Sequence, residues 1–349
     1  CDIIEKMFNQ NSSDPKIHIT YERGIRQLSS MHSRTYKFEK GRYYLYKQIT
    51  FFNKESRYDK LIMPYNDLGR IERLVGNYNE SIDNYLAVQK YAKLSSNHYQ
   101  EILAGINISN TYIESNKAEI AIELLNESLD MINSKYDNNL LSETLYYKLL
   151  YKYDESKAMA EFEKNNIALS ESHFLSSINN LENFINKGGN LLLAQNRIKT
   201  DLATQQANPI ESDIFTLLES FSIKIVSNLV MDQNCGKVNV QQNLGFLRIP
   251  VPMDYPFLPI IKKDNFNNEI AMVSGLETLR LMFPSEIIFD DTSIFSDNAS
   301  VIPLFNSSNR STIMEEFFNL SPDPQQNPSF RQLNEAGKIL GMLVQKNMR

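Results

Sequence analysis

Tryptophan is absent from this chain of 349 residues, and cysteine occurs only at Cys1 and Cys235. Two cysteines cannot build a disulfide scaffold, and a chain this long buries enough core to need none. Glycine and proline are scarce, at 12 residues each, which excludes collagen-like and low-complexity classes and suits a chain with much helix. No charge of one sign dominates, since 36 Lys and Arg stand against 42 Asp and Glu for a net of −6. Nucleic acid, which requires a basic surface, is therefore not expected as a partner. Long apolar runs are missing too. Ile223–Val230 is interrupted by Lys224, Ser227 and Asn228 and falls far short of the ~20 residues that span a bilayer.

Sequence signatures of catalysis are equally sparse. His18, His32, His98 and His173 are scattered, with none at metal-ligand spacing from another or from a cysteine, so no metal and no cofactor is expected. No Gly-x-Ser-x-Gly elbow and no Gly-x-Gly-x-x-Gly loop occurs, and Gly236-Lys237 lacks both the upstream glycine and the Ser or Thr of a phosphate loop. Cys235, followed by Gly236 and Lys237, is the one thiol whose local sequence would lower its pKa if exposed. Asp290-Asp291 follows a short strand expected at Ile287–Phe289; strand-end carboxylates can hold metal, although a solvated turn is the simpler reading. The chain is not expected to be an enzyme.

What is present is repetition. Leu61, Tyr65, Leu68 and Glu72 recur at helical spacing, Gly76-Asn77 supplies a turn, and Tyr78, Ser81, Ile82, Tyr85, Leu86 and Val88 continue an apolar face on a second helix. Gly69 and Ser81 are small where two antiparallel helices would approach. A weaker copy runs through Ile108-Ser109, Tyr112, Asn116, Ala121 and Leu125, offset from the first by 40 residues between Leu68 and Ile108. The polar residues Ser95, Ser96 and Asn97 are expected to lengthen a helix connection there. A third candidate runs through Ala168, Phe174, Ser177, Leu181 and Phe184, with a helix expected over Leu141–Ala160 and a helix end at Gly188-Gly189.

The pattern Tyr65-x2-Leu68-Gly69, with Gly76, Tyr78, Ser81 and Tyr85, resembles the tetratricopeptide repeat (TPR) family, whose repeat is 34 residues long. Tyr65 replaces the family's opening tryptophan and Ser81 its alanine. The resemblance implies stacked helical hairpins binding a protein or peptide in a concave groove. Hairpin geometry then puts Asn66, Arg70 and Arg73 from one repeat, and Ile106, Asn110 and Ile113 from the next, on that groove. Arg70 and Arg73 suit a carboxylate, with a solvated face as the simpler alternative. The Lys and Asn pattern of the family's chaperone-tail clamp is not reproduced, so no chaperone partner is implied.

The aromatic-rich segment Ile25–Phe52 reads as a divergent hairpin at the start of the stack. Beyond residue 200 the character changes. Glu211–Met231 has the apolar face of a buried helix, Lys237–Ile249 alternates as a strand, and Ile249–Ile261 is punctuated by Pro250, Pro252, Pro256 and Pro259 as an extended segment. Helices are expected over Glu269–Phe283, Ser311–Leu320 and Phe330–Lys346, with Gly337 and Gly341 on one face of the last. The fold class is thus mainly α. Residues 1–56 form an N-terminal segment with capping helices, 57–190 a TPR-like hairpin stack, and 200–349 a mixed, mainly helical domain.

The leading functional expectation is a protein-interaction scaffold. Two alternatives stand beside it. Cys1-Asp2 is what a processed bacterial lipoprotein presents, with membrane attachment only through a lipid on Cys1; such a chain would sit in the cell envelope rather than the cytoplasm. There it would assemble with a membrane complex or capture glycan, as SusD-like proteins do. In the other alternative the repeats regulate an enzymatic C-terminal domain in which Asp290 and Asp291 are the residues to suspect.

Overall fold

The computed structural model describes residues 15–244, 247–289 and 299–346. Cys1, Asp290 and Asp291 lie outside the described residues, and with them the expectations placed there. Residues 1–191 and 192–349 form two compact units.

The first unit is helical. Its described α-helices are α1 (Pro15–Arg34), α2 (Phe38–Lys54), α3 (Ile62–Leu74), α4 (Tyr78–Leu94), α5 (His98–Glu114), α6 (Ala118–Asp137), α7 (Glu143–Glu163) and α8 (Ile167–Asn186). They end alike. Tyr36, Ser56, Gly76, Ser96 and Asn116 adopt left-handed backbone at 20-residue intervals, followed by Asn139, Asn165 and Gly188. After each of these the next N–H reaches back five residues to a carbonyl, as Asn77 does to Glu72 at 2.8 Å, Asn97 to Ala92 at 2.8 Å and Lys117 to Tyr112 at 2.9 Å. This closure satisfies helix-end carbonyls and reverses the chain, and it favours Gly and Asn because side chains crowd left-handed backbone.

The caps explain the 40-residue offset differently from the expectation drawn from Ser95, Ser96 and Asn97. That connection is three residues long, as is the one over 115–117. The added residues lie in the helices, since α4 and α5 are each 17 residues long. Small residues recur with the caps. Ser81 Oγ donates to the Gly69 carbonyl at 2.8 Å, and Ser170 Oγ donates to the Ala158 carbonyl at 2.9 Å; Ser109 and Ala121 hold the equivalent positions between them and are both buried. A Cβ on Gly69 would stand 2.8 Å from the Tyr85 ring, so glycine there is a demand of space.

The second unit corrects the expectation of a mainly helical domain. Its one described α-helix is α9 (Asp213–Ser220), and its strands pair antiparallel. β1 (Ile198–Asp201) pairs with β2 (Gln206–Pro209), and β3 (Ile223–Ile225) with β8 (Ile287–Phe289). β4 (Asn228–Asp232) pairs with β10 (Ser311–Glu315), and β9 (Ala299–Asn306) with β11 (Ile339–Lys346). The long β6 (Leu247–Lys262) joins β5 (Cys235–Leu244) to β7 (Thr278–Arg280).

Three expected helices are therefore mainly strand and loop, and Glu211–Met231 is a short helix followed by β3 and β4. Ser311–Glu315 lies opposite β4, every residue of which is buried; pairing to such a strand outweighs local propensity. Gly337 and Gly341 do not share a helix face. Gly341 lies on β11 where a Cβ would stand 2.4 Å from the Phe305 ring, and helix-interior glycine costs ~1 kcal/mol relative to alanine. The strand and extended segments expected over Lys237–Ile261 and Ile287–Phe289 are found as β5, β6 and β8. One core cluster of this unit gathers Leu229, Met231, Tyr255, Phe257 and Phe283.

Candidate functional site

The residues expected on a concave groove divide in two. Asn66 and Arg73 lie on the seam between α3 and α5: Asn107 Nδ2 donates to Asn66 Oδ1 at 3.3 Å, and Arg73 Nε stands 3.5 Å from Glu114 Oε1. Ile106 and Ile113, at the equivalent positions of α5, are 0% and 4% exposed and pack in one cluster with Leu149, Tyr153 and Ala160 of α7. They are core residues and not groove residues, because the next first helix covers them. Arg70 and Asn110 are half-buried at equivalent positions of α3 and α5. Tyr65 stacks on Tyr91 at 5.5 Å, Tyr112 is half-buried, and Leu68, Tyr85 and Ala121 are fully buried.

A concavity does occur in the helical unit, on three helices. A pocket of about 250 Å³ is lined by Ile82, Leu86 and Gln89 of α4, by Ile102, Gly105, Ile108 and Tyr112 of α5, and by Leu124, Glu127, Ser128 and Met131 of α6. Gly105 opens it. A Cβ there would stand 3.1 Å from Ser128 Oγ and 3.3 Å from Gln89 Nε2, so a larger residue would crowd the space between the flanking helices. Leu86 is 49% exposed at the rim. An apolar lining with a few amide, hydroxyl and carboxylate groups suits side chains of a peptide. Individual pattern residues at Ile82, Leu86 and Tyr112 were legible in the sequence, but Gly105 fell outside the pattern that identified Gly69.

Two charged clusters brace the stack. Arg42 of α2 grips Glu72 of α3 with Nε at 2.6 Å and Nη2 at 2.9 Å, and Asn77 adds a donor at 2.8 Å. Burial alone would raise the Glu72 pKa, but the hydrogen bonds from Arg42 and Asn77 outweigh it and hold the carboxyl below its ordinary range. Farther along, Asp154 of α7 meets His173 Nδ1 at 2.8 Å and Asn180 Nδ2 at 2.9 Å, both on α8. Here burial wins over the two partners and the Asp154 pKa is raised.

In the second unit Cys235 is half-buried, so the exposure on which a lowered pKa depended is not met, and burial and the nearby Asp254 push the thiol up to about 11. Asp232 is 1% exposed and accepts hydrogen bonds from the Ser308 N–H at 2.5 Å, the Ser308 hydroxyl at 2.7 Å and the Asn234 N–H at 2.7 Å. A second pocket, of about 670 Å³, lies between Asp264–Asn267 and Pro303–Asn309. Its Asn265 and Asn267 amides donate to the carbonyls of Ser307 and Pro303. Among the described residues no group of three or more His, Cys, Asp or Glu could hold a metal ion, and no helix is long and apolar enough to cross a membrane.

A family model described as ABC-type uncharacterized transport system matches residues 175–349, which is half of the chain. The chain belongs to this family. In this member the matched region starts within α8 and takes in the whole β-rich unit. No curated protein matches the chain. Solved structures similar to it include a Podosopora anserina protein with nearly identical TPR-like repeats, with a TM-score of 0.38 over 52% of this chain and 84% of that one. Others are the apo form of RapI, at 0.34 over 54% and 77%, and BtubC from P. vanneervenii, at 0.32 over 55% and 91%. Each is 11% identical, too distant to carry a functional assignment.

Proposed function

We propose that this protein is an accessory, non-enzymatic docking component of an ABC-type transport system, and that its helical unit binds a peptide segment of another component. The observation that carries this reading is the pocket over Gly105, where α4, α5 and α6 present an open, mainly apolar surface. Membership of a transport-system family supports the choice of partner. The groove first expected from Arg70, Arg73 and Asn110 gives way to this surface, because Arg73 is engaged with Glu114 and the neighbouring isoleucines are core.

A photo-cross-linking residue at Leu86, in the full chain expressed in its native cells, tests the reading. A transporter component is expected to be captured there, and Gln89→Glu with Met131→Glu should abolish capture while the far-UV melt stays unchanged. Capture of the same component only from positions in residues 192–349, or equal capture by the double variant, would overturn it.

A further inference from the structure

The last hairpin of the helical unit carries large apolar side chains at positions its predecessor buries. The caps Asn116 and Asn165 set a 49-residue offset between α5–α6 and α7–α8. Ile113, Ala118 and Leu125 of the earlier hairpin are 4%, 7% and 0% exposed. Their equivalents Phe162, Ile167 and Phe174 are 57%, 56% and 43% exposed. Ile113 and Leu125 are covered because α7 lies on them, in one cluster with Leu149, Tyr153 and Ala160. A hairpin stack buries its interior positions only against a neighbour, and a terminal hairpin that ends in water carries a polar outer face instead. The α7–α8 hairpin keeps apolar residues at these three positions, although Glu155 stands where its predecessor has Ile106, and Met159, one turn before Phe162 and 43% exposed, adds an apolar residue where the predecessor has Asn110.

We propose that this end face is a docking surface for an amphipathic α-helix of another protein, laid across α7–α8 in the register that α7 takes across α5–α6. The occupant's chemistry follows from the interface it continues. Leu149, Tyr153 and Ala160 set the pattern, an aliphatic residue, a larger residue four positions on, and a small residue seven beyond that. The small residue lets the helix axis approach, and the larger ones fill the space around Phe162 and Phe174. The recognition is that of an apolar helix face in a groove, and it is separate from the pocket over Gly105.

The test places p-benzoylphenylalanine at Phe174 of the full chain in its native cells and maps the cross-linked peptide by mass spectrometry. The expected adduct is a helix-forming segment of a different protein with apolar residues at that spacing. Phe162→Glu with Ile167→Glu should lower its yield at least ~10-fold, as loss of central apolar contacts does, with an unchanged far-UV melt; Phe162→Ser alone serves if the melt moves. An adduct within residues 192–349 of the same chain, an adduct with a second copy, no adduct, or an undiminished yield in the variant would each overturn the proposal.

Discussion

The two units solve the same problem of burying a core with opposite use of the chain. In the helical unit the contacts that define a hairpin are short-range: Ser81 reaches Gly69, and Ser170 reaches Ala158, each across 12 residues. In the β-rich unit several side-chain hydrogen bonds span far more. Ser285 Oγ donates to the Asn228 carbonyl across 57 residues, Tyr255 to the Leu320 carbonyl across 65, and Ser308 to Asp232 across 76. Short-range contacts repeat with a period and leave an imprint in the sequence. Long-range ones need a closed chain before they gain anything, so they leave no local period. The difference also governs tolerance, because a repeated hairpin shares its load with neighbours while Asp232 serves several segments at once.

The largest effect that would break this comparison belongs to Gly69→Leu. Its side chain would have to enter the space held by the Tyr85 ring, 2.8 Å from the built Cβ, and should destabilise the helical unit by ~2–4 kcal/mol. Denaturant unfolding followed at 222 nm measures it, and an unchanged midpoint would mean that the hairpin contact is not close-packed. Next comes Asp232→Ala in the β-rich unit, which strands the donors of Ser308 and Asn234 and should cost ~2–3 kcal/mol. Hydrogen exchange should speed up across residues 192–349 and stay the same in 1–191; acceleration in both would show that the two units unfold as one.

A smaller effect is expected from Glu72→Gln, about 1–2 kcal/mol at pH 7, since the Arg42 guanidinium loses its buried carboxylate for a neutral amide and keeps only the exposed Glu39, at 2.7 Å, as a charged partner. Because the folded pKa of Glu72 is lowered, the ion pair's contribution is complete above the ordinary glutamate value of ~4.3 and is lost as pH falls through the folded value. Melting temperatures of wild type and variant should therefore converge in acid. The smallest effect sharpens the account of the caps. Ser96 holds left-handed backbone at φ 54°, and Ser96→Gly should stabilise the helical unit by ~0.5–1 kcal/mol, read as a rise in the denaturation midpoint.

The hairpins around Gly76 were legible because turn chemistry, apolar spacing and small contact residues agree within one short window. Ala158 and Ser170, which repeat the Gly69 and Ser81 contact, were missed because small residues are common and only the cap at Asn165 puts the two in register. In the second unit the alternation of β5 and the prolines of β6 could be read, since an extended chain with prolines has few other conformations. Ser311–Glu315 and Ile339–Lys346 could not, because their apolar residues fit a helix as well as a strand, and β4 and β9 decided between them.

The candidate site was legible only as separate residues. Leu86 and Tyr112 could be placed on helices, but the pocket they line exists because Gly105 leaves room between Gln89 and Ser128. The expected groove pair Ile106 and Ile113 shows the same limit, since its fate depended on how closely α7 packs against α5. Sequence alone therefore determined the helical character of the first half, the 40-residue offset of its first two repeats and the turn at Gly76, which depend on neighbours a few residues apart. Tertiary structure alone decided which helix faces meet, where a pocket opens, which apolar face stays bare and which distant segments pair, because each depends on residues brought together from far along the chain.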